Sequence, residues 1–243
     1  MFAAVFAWCA CMMTFVVILV VSVALLAGAA WGLYLGLSKK VEGFLVALAG
    51  GALIVSTVLE LIEPATHKAP LAWALGFVLV GAVVFCLLDY LVKERWGGDK
   101  GGGLLAAITI DGIPENLALG VALIGASPMS VAALSGSILL SNLPEAAGRA
   151  REMKAGKMSN GKIFALWGAT AALLSGAAIA GNLLLAGVPE EVLSCVRCFA
   201  GGAVLASLAI EVFPLAYKED DYWAGLATAI GVILAFLLNS LSS

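Results

Sequence analysis

Long apolar stretches, separated by short segments that hold most of the charge, constrain the fold more than any other feature of this sequence. The stretches lie at about 10–36, 42–62, 70–92, 103–125, 130–148, 162–187, 191–216 and 222–241. An α-helix needs about 20 apolar residues to cross the hydrocarbon core of a bilayer. The pattern therefore predicts an all-α polytopic membrane protein with eight transmembrane helices in a single transmembrane domain over residues 1–243.

The composition excludes several other classes of protein. Of the 243 residues, 63% are hydrophobic and 12% are charged, about half of the charge found in soluble domains. Almost nothing is left for a separate soluble domain, so the expected partner is the lipid bilayer. A net charge of −3 and a single histidine give no sign of a nucleic-acid partner.

The distribution of basic residues predicts the orientation. Eleven of the 13 Lys and Arg residues follow the first, third, fifth and seventh stretches, and only Lys68 and Arg197 lie on the other side. The positive-inside rule places the richer side in the cytoplasm and both termini outside. No Lys or Arg precedes Lys39, so the first stretch lacks the charged start of a cleavable signal peptide and is expected to be retained. We therefore expect a multi-pass protein of a cell membrane, plasma or bacterial inner.

An internal repeat predicts the architecture. At an offset of 151 residues, a Gly-Gly-Ala triplet, a serine and a glutamate recur, which pairs Glu60 with Glu211. At an offset of 30, the fourth stretch matches the fifth. The order is thus 3+2+3, with repeat A at about 10–92, central helices at about 103–148 and repeat B at about 162–241. Paired helices would cross in opposite directions, which is the inverted repeat typical of secondary transporters.

Acidic residues in the fourth and fifth stretches mark a candidate site. An ionisable group near the bilayer centre costs ~2.5 to 3.5 kcal/mol on insertion scales, so its presence suggests a function. Asp111 and Glu115 share a helix face through their i,i+4 spacing, and Asn142 and Glu145 do so through i,i+3.

Prolines directly precede two of these acids. Pro114 and Pro144 each bend the helix and free the carbonyl oxygen four residues back, at Ile110 and Leu140. Carboxylates and freed carbonyls together form the oxygen-rich ligand set that suits a divalent cation. The alternative is that the acids only form hydrogen bonds between two kinked helices.

Other polar residues have two readings each. Glu60, near the outer end of helix 2, and Glu211, near the inner end of helix 7, are either gates on an ion pathway or carboxylates that extend towards the interface. Asn182 either bonds a neighbouring helix or lines the site. His67 either collects cations at the outer mouth or is incidental, and Asp89 is expected at the cytoplasmic interface.

Neither an enzyme nor a prosthetic group is predicted. No Asp pair or Ser/His dyad stands out for an intramembrane hydrolase. Cys195 and Cys198 lie one turn apart but have no further ligands nearby for a zinc module.

Two segments carry a family resemblance. Residues 111–120, Asp-Gly-Ile-Pro-Glu-Asn-Leu-Ala-Leu-Gly, and 141–148, Ser-Asn-Leu-Pro-Glu-Ala-Ala-Gly, resemble the helix 4 and helix 5 signatures of the ZIP (Zrt/Irt-like) metal transporters. The flanking Gly-Gly-Ala helices resemble that family too, so the resemblance covers essentially the whole chain. It implies eight helices, outward termini and transport of a divalent metal, the substrate, into the cytoplasm. The family's metal ligands would correspond to Asp111, Glu115, Ser141, Asn142 and Glu145.

The chain departs from the family pattern at the ligands themselves. Asp111 stands for the usual His, Gly112 for a polar residue and Ser141 for His or Gln, while Ile179 stands where some bacterial members have a Glu-Pro pair. These changes predict a single oxygen-lined site and shift the preference from zinc towards harder ions such as manganese or iron. Zinc is the expectation from the resemblance alone. The alternative function is a ZIP-like metal-binding or sensing membrane protein without transport, and a homodimer is compatible with either function.

Overall fold

The computed structural model describes residues 2–36, 38–96, 102–124 and 131–242, with side chains described for 15–36, 38–94, 109–110, 112–124 and 131–241. Every regular element within these ranges is helical. The helices are α1 (Phe2–Tyr34), α2 (Lys39–Thr66), α3 (Leu71–Trp96), α4 (Gly102–Ala122), α5 (Ala132–Ala155), α6 (Asn160–Leu185), α7 (Glu190–Asp220) and α8 (Trp223–Ser242). The first helix starts earlier than the expected residue 10, because residues 2–9 contain no Gly or Pro to stop it.

Six of the described helices are long and apolar enough to cross a membrane, namely α1, α2, α3, α6, α7 and α8. The described part of the chain is therefore all-helical and of the membrane-embedded type. The helices α4 and α5 do not meet this criterion within the described residues. The second half of α5 is strongly charged, and the side chains of α4 are described mainly from Gly112 onward. The total of eight spans stays a prediction.

Two helices contain a π-helical turn, which the sequence did not predict. In α2 the turn covers Val58–Ile62, and in α7 it covers Leu208–Val212. Each turn is followed by a short α-helical segment with a proline in its first two positions, Pro64 or Pro214. Proline has no backbone N–H, so the regular hydrogen-bond ladder breaks just before it. Such turns often occur at functional sites, and each of these contains an acid that the sequence singled out, Glu60 or Glu211.

The helices pack in two main groups. Helix α1 packs on α5 and α6, and α6 packs on α4. Helix α2 packs on α8 and α7, and α7 packs on α3. Contacts of α2 with α5, and of α7 with α4, join the groups.

Four glycines let backbones approach closely in the second group. Gly51 and Gly231 lie where α2 meets α8, and Gly81 and Gly202 lie where α3 meets α7. A methyl group at any of these positions would stand 1.9–2.1 Å from a backbone carbonyl oxygen of the partner helix. Close backbone contact through small residues is a common way to associate helices in lipid, where the hydrophobic effect does not drive association.

Ion pairs connect helix ends at one end of the bundle. Arg151 at the end of α5 lies 2.6 Å from Glu42 at the start of α2, and Lys39 lies 3.3 Å from Glu219 at the end of α7. We call this the basic end, since it holds the linking segments rich in Lys and Arg. At the opposite end, Lys68 pairs with Glu190.

Candidate functional site

A small cavity in the half of the bundle nearer the basic end collects polar side chains from three helices. Its polar lining includes Glu115 of α4, Asn142, Glu145 and Arg149 of α5, and Glu211 of α7. The remaining wall is mostly apolar and includes Trp167 and Leu174 of α6. Its volume of about 20 Å³ is enough for one water-sized guest.

Helix geometry brings the predicted acids together. Glu115 and Glu145 directly follow the prolines inside α4 and α5, and both side chains reach the same cavity. Glu115 is only 5% exposed and Asn142 only 3%. The Nδ2 of Asn142 donates to the Val21 carbonyl oxygen of α1 at 3.4 Å, which restrains the amide. Two carboxylates and an amide thus face one space inside an apolar bundle.

Arg149 also lines this cavity, which the sequence interpretation missed. Its Nε lies 3.2 Å from Oε1 of Glu145, and both side chains are 21% exposed. In the sequence, Arg149 counts only among the eleven basic residues that indicate the orientation. The i,i+4 spacing between Glu145 and Arg149 was the available signal, because residues at this spacing meet on one helix face.

Glu211 has a cationic partner in α3. The Nζ of Lys93 contacts a carboxylate oxygen of Glu211 and lies 3.0 Å from Oδ2 of Asp89. Asp89, expected at the interface, is 8% exposed and lies against this lysine. Lys93 was also overlooked, although its spacing from Asp89 is again i,i+4.

The rest of the predicted ligand set is only partly described. Asp111 lies within α4, one turn before Glu115, but its side chain is outside the described residues. Ser141 is 2% exposed beside Asn142 and is not part of the described cavity lining. Among the described residues, no three His, Cys, Asp or Glu side chains are grouped closely enough to hold a metal ion. The metal site therefore stays a prediction.

Glu60 lies in a second cavity at the opposite end of the bundle. This cavity has a volume of about 320 Å³, and its charged lining residues are Glu60, Lys68, Glu190 and Arg197. Oε1 of Glu60 accepts a hydrogen bond from the Leu134 N–H at 3.0 Å, in the first turn of α5, where the helix dipole favours negative charge. Glu60 and Glu211 thus lie in separate cavities near opposite ends.

A buried polar contact separates the two cavities. The hydroxyl oxygens of Ser56 in α2 and Ser137 in α5 are 3.2 Å apart. On α2, Ser56 lies between Val46, which lines the first cavity, and Glu60, which lines the second. On α5, Ser137 lies between the start of the helix, where Val131 lines the second cavity, and Asn142, which lines the first. The two serines therefore lie at a level between the two cavities.

Asn182 bonds a neighbouring helix. Its Nδ2 donates to the Gly120 carbonyl oxygen at 3.0 Å and so ties α6 to α4. Asn182 is not part of the lining of the two cavities described above, and its place on the ion pathway stays a prediction.

His67 is an exposed surface residue at the opposite end. Its side chain is 75% exposed, and its Nε2 lies 3.8 Å from Oε1 of Glu63.

No known family model and no curated protein matches the chain.

Proposed function

We propose that this protein carries a divalent metal cation across a cell membrane, by way of a carboxylate site on α4 and α5. One observation carries the proposal: Glu115, Asn142 and Glu145 line one ion-sized cavity within an apolar helix bundle, with Glu211 beside them. Carboxylates withdrawn from water are costly unless a cation compensates them. Oxygen ligands of this kind suit manganese or iron, and zinc is proposed from the ZIP resemblance.

We place this site at the centre of a 3+2+3 inverted repeat. Exchanging helices 1–3 with helices 6–8, and helix 4 with helix 5, turns the observed contacts into one another: α1–α5 becomes α6–α4, and α2–α8 becomes α7–α3. The two π-helical turns exchange as well. The pairs Gly51/Gly231 and Gly81/Gly202 also exchange, since each joins the corresponding helices. These correspondences support the repeat that the sequence offsets predict.

The two cavities suggest the route of the ion. Glu60 would meet the cation at the opposite end, and Glu211 would lie on its exit towards the basic end. With the basic end in the cytoplasm, the direction is into the cell.

Uptake by purified protein in proteoliposomes tests the proposal directly. We expect accumulation of Mn²⁺, reduced by competing divalent ions that share the site. The second candidate is a metal-binding or sensing protein without transport, because Asp111 and Ser141 stand where the ZIP family has its usual imidazole ligands. Saturable binding without uptake would favour that candidate, and the absence of both would reject a metal function.

Cysteine labelling tests the orientation. In a variant without the five native cysteines, Gly156→Cys at the basic end should be shielded from an impermeant thiol reagent added to intact cells. His67→Cys, at an exposed position of the opposite end, should be labelled. Permeabilised cells provide the control, in which both variants should react. The reverse pattern in intact cells would invert the orientation and the direction of transport.

Substitution of Asp111 tests the preference for hard ions. Asp111→His replaces an anionic oxygen by an imidazole nitrogen, which favours zinc over manganese. We expect the ratio of apparent affinities, Zn²⁺ to Mn²⁺, to rise about tenfold in competition assays. Glu63→His is the control, because it makes the same exchange of carboxylate for imidazole at a 56% exposed position. An unchanged ratio would show that Asp111 is not a ligand.

A further inference from the structure

We infer that Arg149 is a built-in counter-charge of the cation site, which keeps Glu145 neutralised when no ion is bound and weakens the hold on a bound ion. The inference rests on the proposed function and assigns a specific role within it. In this role the guanidinium compensates Glu145 between ions, and the cavity, which has room for one water-sized guest, binds one divalent ion at a time.

The position of Arg149 supports this role. Its guanidinium is within ion-pair distance of a predicted metal ligand, with Nε 3.2 Å from Oε1 of Glu145. It also lines the cavity itself, whose wall includes Trp167, Leu174 and Leu25. Apolar walls and the surrounding lipid reduce dielectric screening, so a unit charge at this place acts strongly on any guest.

The charges around the cavity give the arginine a specific task. Among the described residues of the lining, three carry carboxylates, Glu115, Glu145 and Glu211, and Arg149 alone carries positive charge. Lys93 reaches Glu211 from outside the lining and is shared with Asp89. Glu145 therefore depends on Arg149 for compensation whenever the ion is absent.

In this arrangement Glu145 can exchange one partner, the guanidinium of Arg149, for another, the divalent ion. A divalent ion that binds Glu145 repels the guanidinium, and the side chain of Arg149 is partly exposed, so it can turn towards the basic end. When the ion leaves, the guanidinium can return to Glu145, which lowers the cost of leaving the carboxylate alone. Release of the ion becomes easier than from a cavity of carboxylates only.

A simpler interpretation is that the ion pair between Arg149 and Glu145 only stabilises α5. The next arginine of the helix, Arg151, allows the two interpretations to be compared. Arg151 is also ion-paired, with Nη2 at 2.6 Å from Oε2 of Glu42, but it is not part of the cavity lining. Arg149→Gln and Arg151→Gln thus remove the same charge from two ion pairs two residues apart, and only the first changes the charge of the cavity.

The test measures Mn²⁺ binding by isothermal titration calorimetry, with a parallel Zn²⁺ series, on the full chain in lipid nanodiscs. A unit charge at about 6 Å from a divalent ion changes the binding constant by roughly tenfold even at the dielectric constant of water. We therefore expect Arg149→Gln to lower the Kd at least about tenfold, and to lower both KM and kcat for uptake. Arg149→Lys should resemble the wild type, and Arg151→Gln should leave Kd unchanged.

Several results would overturn the inference. These are an unchanged or higher Kd in folded Arg149→Gln, or equal effects of the two glutamine variants. Arg149→Met, a neutral side chain of similar length, is the second variant if the glutamine form unfolds. Unfolding of both neutral variants, while Arg149→Lys folds, would assign the charge to the fold and not to the site. Wild-type protein that neither binds nor transports Mn²⁺ or Zn²⁺ would instead remove the proposed function, so the two failures are distinguishable.

Discussion

Replacing Glu145 by Gln is expected to abolish metal uptake into proteoliposomes, and Glu115→Gln is expected to do the same. Both carboxylates line the small cavity, and each is expected to supply a charged ligand to the ion. Loss of one charge in a poorly screened site costs several kcal/mol, so the initial rate should fall by at least about 100-fold.

The amide is chosen because it preserves shape. Glutamine at residue 145 keeps an oxygen that can accept from Arg149, so the partly buried guanidinium does not lose its partner. Glu63→Gln is the matched control, because this carboxylate is 56% exposed at the opposite end of the bundle. A folded Glu145→Gln protein that transports at the wild-type rate would eliminate the proposed cation site.

The membrane character and the meeting of Glu115 with Asn142 and Glu145 could be predicted from local sequence. Apolar stretches of sufficient length leave few folds other than helices in lipid, because every backbone polar group must be satisfied within the segment. Acids next to prolines in neighbouring stretches indicated that both helices would direct polar groups inward. The structure places these three side chains on one cavity, with Glu211 added from α7.

The cationic partners could not be predicted by the same reasoning. The positive-inside rule treats basic residues as signals of orientation, and it contains no information about which of them turn back into the bundle. Arg149 and Lys93 do so because carboxylates lie one turn earlier on the same helix faces. At the basic end, these two side chains therefore pair with carboxylates of their own helices, although the orientation rule alone would place them at the interface.

Each π-helical turn lies just before a proline, and the hydropathy pattern gives no sign of it. Hydropathy does not change between α-helical and π-helical residues, so Val58–Ile62 and Leu208–Val212 could not be distinguished from their surroundings. An acid four residues before Pro64 and three before Pro214 was the only local hint. The hydrogen bond from Asn182 to a carbonyl oxygen of α4 could not be predicted either, because it depends on how α4 and α6 pack.

Leucine at Gly202 or at Gly51 is expected to prevent stable folding. The added Cβ would lie 1.9 Å from the Val78 carbonyl oxygen in the first case and 2.1 Å from the Thr228 carbonyl oxygen in the second. The obstacle is backbone in a packed helix, so relief requires the helices to separate. Overpacking of this kind costs ~3 kcal/mol or more, because it removes neighbouring contacts as well as creating strain.

The measurement is thermal unfolding of the detergent-solubilised protein, together with its monodisperse fraction on size-exclusion chromatography. We expect each variant to unfold about 10 °C or more below the wild type, or to aggregate. Gly76→Leu is the control on α3, because a Cβ there has no neighbour within 4 Å. If the 3+2+3 repeat is correct, Gly51→Leu and Gly202→Leu occupy equivalent positions and should lose similar stability. Wild-type stability of Gly202→Leu would mean that α3 and α7 do not approach each other through this glycine. The position of α7 in the bundle would then be in error, and with it the placement of Glu211 beside Glu115, since α7 carries Glu211 into the cavity.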